Sequence, residues 1–446
     1  MVPVVIIIVL FALYRYEQLI FLIVFFIPLS IQLKDIIPID MIDMSLPTEP
    51  LIFGAMLIFF IKLILDRSFD KKIYKHPISI VIYFYLGWIL ITCITSTMPL
   101  VSFKFFLSRL WFIVVFYFLA SQIFKNIKKI DTYIWLYLIS LFIVVIYSLY
   151  NLSEYGFWNQ KMAHSVMRPF YNDHTSYSAI IAMFFPILIG FIIDKNKEGF
   201  KKYIAILFLV VFAFAIILSY SRAAWLSLVI AFVFWVLIKK KIKLRTISIS
   251  ILVLAATSFI FKDEIFSRLR KNKQDSSTNI TQHIQSISNV STDASNVERL
   301  NRWNCAFRMF AEKPIFGWGP GSYSFQYAPF QHSDEKTIIS TNHGDRGNAH
   351  SEYIGSLAES GILGLVFFIA IVLTTIYTSV NRVYRKSEYP QIRTLCLALL
   401  LSLVTYYCHG LLNNFLDTDK ASALFWGFTS MIVVIDVYHN KKREEI

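Results

Sequence analysis

Three stretches hold side chains able to do chemistry. The first is SYSRAAW, residues 219–225, where two apolar runs are joined by almost nothing and Arg222 sits in the join. An arginine that close to hydrocarbon either snorkels to the interface or finds an anion, and guanidinium grips phosphate oxygens in a bidentate way. The second runs from Asn296 to Lys313. Val297, Leu300, Trp303, Phe307 and Phe310 recur there at spacings of three and four, which predicts an amphipathic helix with one apolar face. Arg299 flanks that face, and Arg302 lies further round, toward the polar side. Taken alone, this helix reads as a segment resting on a membrane surface.

The third stretch is NAHSEYIGSLAESGILG, residues 348–364. His350 lies where a long polar segment enters an apolar run, so its imidazole can meet both a water-soluble and a lipid-anchored group. Neutral imidazole near pH 7 is a suitable general base, although any single loop histidine also reads as a solvated polar side chain. Glu352 and Glu359 follow at helical spacing. Glu359 falls about two turns inside the apolar run, where a carboxylate is costly unless it faces a cavity or a partner. Its other reading is the orientation of neighbouring helices. A histidine and at least two arginines, with no Cys/His spacing that suggests a metal, suit attack on a lipid-linked diphosphate. The arginines would neutralise charge on the leaving diphosphate, and the histidine would take a proton from the attacking hydroxyl. The run GWGPGS, after Pro314, superficially resembles a phosphate loop. It lacks the Lys-Ser/Thr ending and follows no strand, so it reads as a compact turn.

The elements that must position these residues follow from composition. Of 446 residues, 56% are hydrophobic and 17% aromatic, while only 16% are charged, against about 25% in soluble domains. So much apolar surface cannot be hidden in one water-soluble core. A soluble enzyme, a disordered chain and a disulfide scaffold are excluded, and the expected solvent is lipid. A span needs about 20 mostly apolar residues. Such runs lie at 18–33, 51–65, 78–96, 105–124, 131–150, 177–193, 203–219, 223–238, 246–261, 353–380, 394–412 and 421–438, with a shorter one at 2–14. The expected architecture is all-α and polytopic, with about 12 transmembrane helices. No cleavable signal peptide is expected.

Six connectors, at 67–75, 125–129, 195–202, 239–245, 382–393 and 441–443, hold more than half of the 43 Lys and Arg. Each lies two spans from the next, so all fall on one side, the cytoplasmic one by the positive-inside rule. The net charge of +14 then sits beside anionic lipid headgroups, and nucleic acid is not an expected partner. The opposite side receives 34–50, 151–176, the turn near 220 and the long connection 262–349, of which 271–297 reads as a polar tether. The chain thus divides into spans at 1–261, a large outer loop at 262–349, and three spans with a cytoplasmic tail at 350–446.

The three chemical stretches, in this order and on one side, resemble the O-antigen ligase and O-antigen polymerase superfamily of bacterial membrane glycosyltransferases. SYSRAAW is similar to that family's short Ser/Thr-x-Ser/Thr-Arg turn. ERLNRWNCAFRMFAEKPIFGWGPGSYSF, residues 298–325, is similar to its outer-loop helix with a Pro-x-x-Gly-x-Gly turn. NAHSEYIGSLAESGILG is similar to its His-Asn-x-Tyr segment, except that Ser351 stands where Asn is common. The resemblance implies a GT-C-like fold in the bacterial inner membrane, with the site facing the periplasm. It implies His350 as catalytic base and Arg222 and Arg299 as ligands of undecaprenyl diphosphate, with Arg302, Glu352 and Glu359 as possible support. The implied reaction moves a glycan from that carrier to an acceptor hydroxyl, on lipid A-core or on another glycan, with inversion and without metal, cofactor or nucleotide sugar. RPFYNDHTSYSAII, residues 168–181, resembles a further family stretch, through which Arg168, Asp173 and His174 would line the acceptor side. A ligase is the first expectation and a polymerase the second. The competing class is a transporter or flippase, which would bring internal repeats and helices broken at mid-membrane. The sequence shows no repeat, and its candidate charges gather at one face.

Overall fold

The computed structural model describes residues 15–36, 44–65, 70–194, 199–242, 246, 294–333, 335–336 and 347–440. The expected span at 246–261, the apolar run at 2–14, most of the polar tether and the basic tail lie outside the described residues. What is described is nearly all helical, apart from a two-stranded antiparallel pair, Ile31–Gln32 with Ser45–Leu46.

The helices are α1 (Tyr16–Phe26), α2 (Thr48–Leu65), α3 (Pro77–Ile94), α4 (Pro99–Phe124), α5 (Ile127–Tyr155), α6 (His174–Ile193), α7 (Phe200–Leu218), α8 (Arg222–Lys239), α9 (Ala294–Glu312), α10 (Glu352–Tyr384), α11 (Pro390–His409) and α12 (Asp419–His439). Among the described residues nine of these, α3 to α8 and α10 to α12, are long and apolar enough to cross a membrane. Their starts follow local chemistry. α3, α4 and α11 each open on proline, whose missing N–H and fixed φ suit the first helical position. Asp173 caps α6, its Oδ1 accepting from the Thr175 and Ser176 amides at 2.8 Å each. The expected span at 18–33 is cut short: α1 stops at Phe26, Ile27 still takes a helical conformation, and Pro28 has no N–H to continue the ladder.

α12 is the inner helix of the bundle, buried at every residue from Ala421 to Ile435. Its small residues let neighbours approach closely. A Cβ on Gly427 would lie 2.8 Å from the Tyr133 hydroxyl, which donates to the Ala423 carbonyl. α6 packs against α11, α11 against α8, α3 against α10, and α9 lies on α10.

The bundle has two chemically different ends. At one, the basic connectors meet. Arg382 and His76 both pair with Asp436, Tyr438 donates to Asp70, and Arg385 donates to the Ile242 carbonyl. At the other end lie the turn at 219–222, α9, the entry to α10 and the loop 410–418.

Candidate active site

Arg222 is the first residue of α8. The turn before it is tight. Tyr220 takes a φ of +53°, its hydroxyl donates to the Trp158 carbonyl at 3.3 Å, and Trp225 ties α8 back to the Ile216 carbonyl of α7 at 3.0 Å. The side chain is therefore launched from a fixed point.

α9 buries an unexpected face. Glu298, Asn301, Arg302, Cys305, Ala306 and Met309 are buried, whereas Phe307 of the apolar stripe is 43% exposed. The helix turns Glu298, Asn301 and Arg302 of its polar side inward, while Val297, Leu300, Trp303 and Phe310 are half-buried. Arg302 is thus on the polar side of the helix, with its guanidinium inside. Nε donates to Glu298 Oε1 at 2.8 Å, the group lies 4.2 Å from the Tyr327 ring centroid, and Gly347 crosses it so closely that a Cβ there would be 1.8 Å from Nη1. Among the described residues, Nη1 has no hydrogen-bond partner.

His350 is a partly buried residue with a φ of +49°, rare for a side chain with a Cβ, and such outliers concentrate at functional sites. Asn348 holds it from one side, Oδ1 accepting from the His350 amide at 3.0 Å. On the other side Ser351 caps α10, its Oγ accepting from the Ile354 amide at 3.3 Å, which gives that side chain a structural use. Burial lowers the imidazole pKa to about 4, helped by the charges of Arg299 and Arg302; Glu298 and Asp173 oppose them. Arg299 in turn is depressed by burial and supported by Asp173, and its charge acts on Arg222. Arg222, Arg299, Arg302, Asp173 and His350 thus form one electrostatic cluster at this end of the bundle. Asp173 keeps its charge: burial works against it, but the Ser176 amide, the Thr175 hydroxyl and His174 together hold its carboxyl below the usual range.

Residues 207–369 of this chain match the family model described as O-antigen ligase. Over this segment the chain is similar to O-antigen ligases. The matched segment carries Arg222, Arg299, Arg302, His350, Glu352 and Glu359. Among curated proteins the chain is similar to an uncharacterized protein of Haemophilus influenzae, 23% identical over 267 residues, which covers 58% of this chain and 61% of the relative. The chain therefore spans about three fifths of that relative's length.

The remaining predicted residues go elsewhere. Arg168 is exposed and its Nε donates within its own loop, to the Asn172 carbonyl at 3.2 Å. His174 stacks on His164, ring centroids 3.9 Å apart. Glu352 is a clamp: its Oε1 accepts from the Tyr406 hydroxyl and from the Phe415 and Leu416 amides, each at 2.8 Å. Glu359 serves the glycine-rich turn. α10 breaks at Gly361, with φ +67°, and there the backbone docks. The Trp318 and Gly319 amides donate to the Ala358 and Glu359 carbonyls at 3.1 and 2.8 Å, and the Ile362 amide donates to the Pro314 carbonyl at 3.0 Å. Glu359 Oε1 accepts from the Tyr323 amide at 3.0 Å. A Cβ on Gly361 would lie 2.0 Å from the Ile315 carbonyl oxygen, so only glycine fits. GWGPGS is a turn that plugs a broken helix.

Sequence reasoning missed two residues. His409 ends α11, 1% exposed, with the charges of Arg299 and Asp173 acting on it. Arg109 on α4 is 5% exposed, with Nη1 donating to the Leu416 carbonyl at 2.8 Å and the guanidinium 5.1 Å from the Phe105 ring. Both lie within apolar runs and far in sequence from the three stretches. The available signal was a charged or titratable residue inside a span, which is a functional-site hypothesis by default.

Proposed function

We propose that this protein is an O-antigen ligase-type glycosyltransferase that moves a glycan from undecaprenyl diphosphate to an acceptor hydroxyl, on lipid A-core, at the periplasmic face of the bacterial inner membrane. In this reading the bundle is GT-C-like with about 12 spans, and α9 rests its apolar stripe on the outer leaflet. The observation that carries the proposal is the cluster itself. Arg222 and Arg299, 77 positions apart in sequence, act on each other, and Arg299 in turn acts on His350, whose backbone takes a left-handed φ of +49°.

The chemistry follows from the charges. Arg222 and Arg299 hold the diphosphate, and the buried Arg302 Nη1 offers a further donor to a phosphate oxygen. The acceptor oxygen bonds to the anomeric carbon from the face opposite the diphosphate. The bond from that carbon to the diphosphate oxygen breaks, and undecaprenyl diphosphate leaves with the electron pair. His350 Nε2 or Nδ1 takes the acceptor's proton. With its pKa near 4, the imidazole is neutral and ready to accept, but it is a weak base, held down by burial and then by Arg299 and Arg302, which Glu298 and Asp173 offset only in part. A bound diphosphate offsets those charges and raises the imidazole pKa, so the base strengthens when donor is present.

A deletion strain with its surface glycan resolved on a gel tests the proposal. A ligase deletion leaves lipid-linked polymer and bare core. Single repeat units on the core would instead indicate the polymerase of the same superfamily. A normal glycan profile would reject both.

A further inference from the structure

Beside the cationic cluster lies a cavity of opposite character, about 340 Å³ in volume, within the range of small-ligand sites. It is built by α3, α4, α10, the docked turn and the loop 410–418. Asn348, Ala349, Ser351 and Glu352 line it from both sides of His350, which is not itself a lining residue. His350 takes a left-handed φ of +49°, while Ser351 after it is extended, φ −164° and ψ +130°. The charges acting on His350 are led by Arg299 and Arg302. Lining the pocket, Glu352, Glu359 and Asp417 meet a single arginine, Arg109.

The lining chemistry is specific. Carboxylate and amide oxygens are acceptors for hydroxyl groups. Asn414 Oδ1 is buried and has no hydrogen-bond partner among the described residues. Tyr85, Phe105 and Tyr323 supply aromatic surface. The Arg109 guanidinium is already engaged with the Leu416 carbonyl and the Phe105 ring. A second diphosphate entering here would meet the carboxylates of Glu352 and Asp417. An uncharged ring bearing several hydroxyls would meet acceptors and aromatic faces.

We propose that this pocket is the acceptor subsite, and that it binds an uncharged, hydroxyl-rich sugar unit beside His350 while excluding the diphosphate. The assignment of acceptor rests on the proposed transfer reaction; the ligand class rests on the pocket alone. Glu352 and Glu359 also hold backbone, so the residues that report on the pocket are Asn414 and Asp417. Charge complementarity then sorts the substrates: the diphosphate goes to the arginines and the acceptor sugar to the carboxylates.

Thiol labelling tests it without requiring activity. The four native cysteines are all buried, so a cysteine placed at the pocket reports selectively. Full-length protein carrying Asn414→Cys, and in parallel Asp417→Cys at an exposed position, is treated with a maleimide. The probes are core oligosaccharide cut from O-antigen-free lipopolysaccharide, repeat-unit oligosaccharide hydrolysed from the host's surface polymer, and undecaprenyl diphosphate in detergent. The expected result is labelling slowed at least about tenfold by one of the oligosaccharides and less than about twofold by the diphosphate. Protection by the diphosphate as strong as by sugar, or no protection by either oligosaccharide, overturns the subsite. Those two results leave the transfer proposal standing, because that proposal is decided by the deletion strain. In a reconstituted transfer assay Asp417→Asn should raise the acceptor KM at least about fivefold and leave the donor KM unchanged. A rise in donor KM alone would overturn the assignment.

Discussion

The arginine cluster and the acidic pocket beside residues 348–352 carry opposite charges. The arginines come from α8 and α9: Arg222 follows a tight turn, Arg299 feels the charge of Asp173 at the cap of α6, and Arg302 pairs with Glu298. The carboxylate side is assembled from α10 and the loops that dock onto it. In the proposed reaction that difference would sort two substrates that both carry sugars. Charge would distinguish the diphosphate end of one from the hydroxyl end of the other, with His350 between them.

The sharpest way to break this contrast is to remove the boundary residue. His350→Ala should lower transfer by the ~10²–10⁴-fold typical of a lost general base, measured with reconstituted protein and lipid-linked donor, and activity should persist in chelator. Next come the cations. Arg222→Lys and Arg299→Lys keep the charge but lose the planar fork, so each should cost on the order of 10²-fold in kcat/KM for the donor. An equal loss from Arg168→Lys, on the exposed loop, would dissolve the distinction between cluster and periphery.

A smaller effect concerns pH. Because His350 must be neutral to act, the acid limb of donor kcat/KM, which reports the free enzyme, should lie well below 6.5 and near 4. The limb of kcat, which reports the donor complex, should lie at higher pH, because the bound diphosphate compensates Arg299 and Arg302. Arg302→Gln should raise the free-enzyme limb, since it removes one of the two cations that depress the imidazole. A limb that falls further would contradict the sign. The smallest effect is structural. Gly361→Ala places a Cβ against the Ile315 carbonyl at positive φ, at a cost of about 1–3 kcal/mol. It should lower the thermal midpoint in detergent and expose the 314–326 turn to protease.

Much of this was legible in the sequence. Among the described residues the apolar runs from 51–65 to 223–238 and from 353–380 to 421–438 are helices, because in lipid every span must satisfy its own backbone. Arg222 and His350 stand out in the sequence because each borders an apolar run, and Arg299 because it flanks the apolar stripe of its helix. The inward face of α9 was not. Spacing reveals that a helix has two faces, but an apolar stripe can meet protein or lipid, and here Glu298, Asn301 and Arg302 take the interior. The clamp made by Glu352 was equally hidden, since its partners Phe415 and Leu416 lie more than sixty residues away. Arg109 escaped for the same reason: its neighbours come from three-dimensional proximity alone.

The central claim is that His350 is the proton acceptor for an acceptor hydroxyl whose donor is held by arginines. Its most direct test is His350→Gln, with donor affinity and single-turnover transfer measured on the same reconstituted preparation. Glutamine keeps a hydrogen-bonding side chain of similar reach but cannot accept the proton. The account predicts a donor Kd within about threefold of the wild type and a transfer rate lower by ~10²-fold or more. Transfer close to the wild-type rate would show that His350 only positions the acceptor, and would contradict the account.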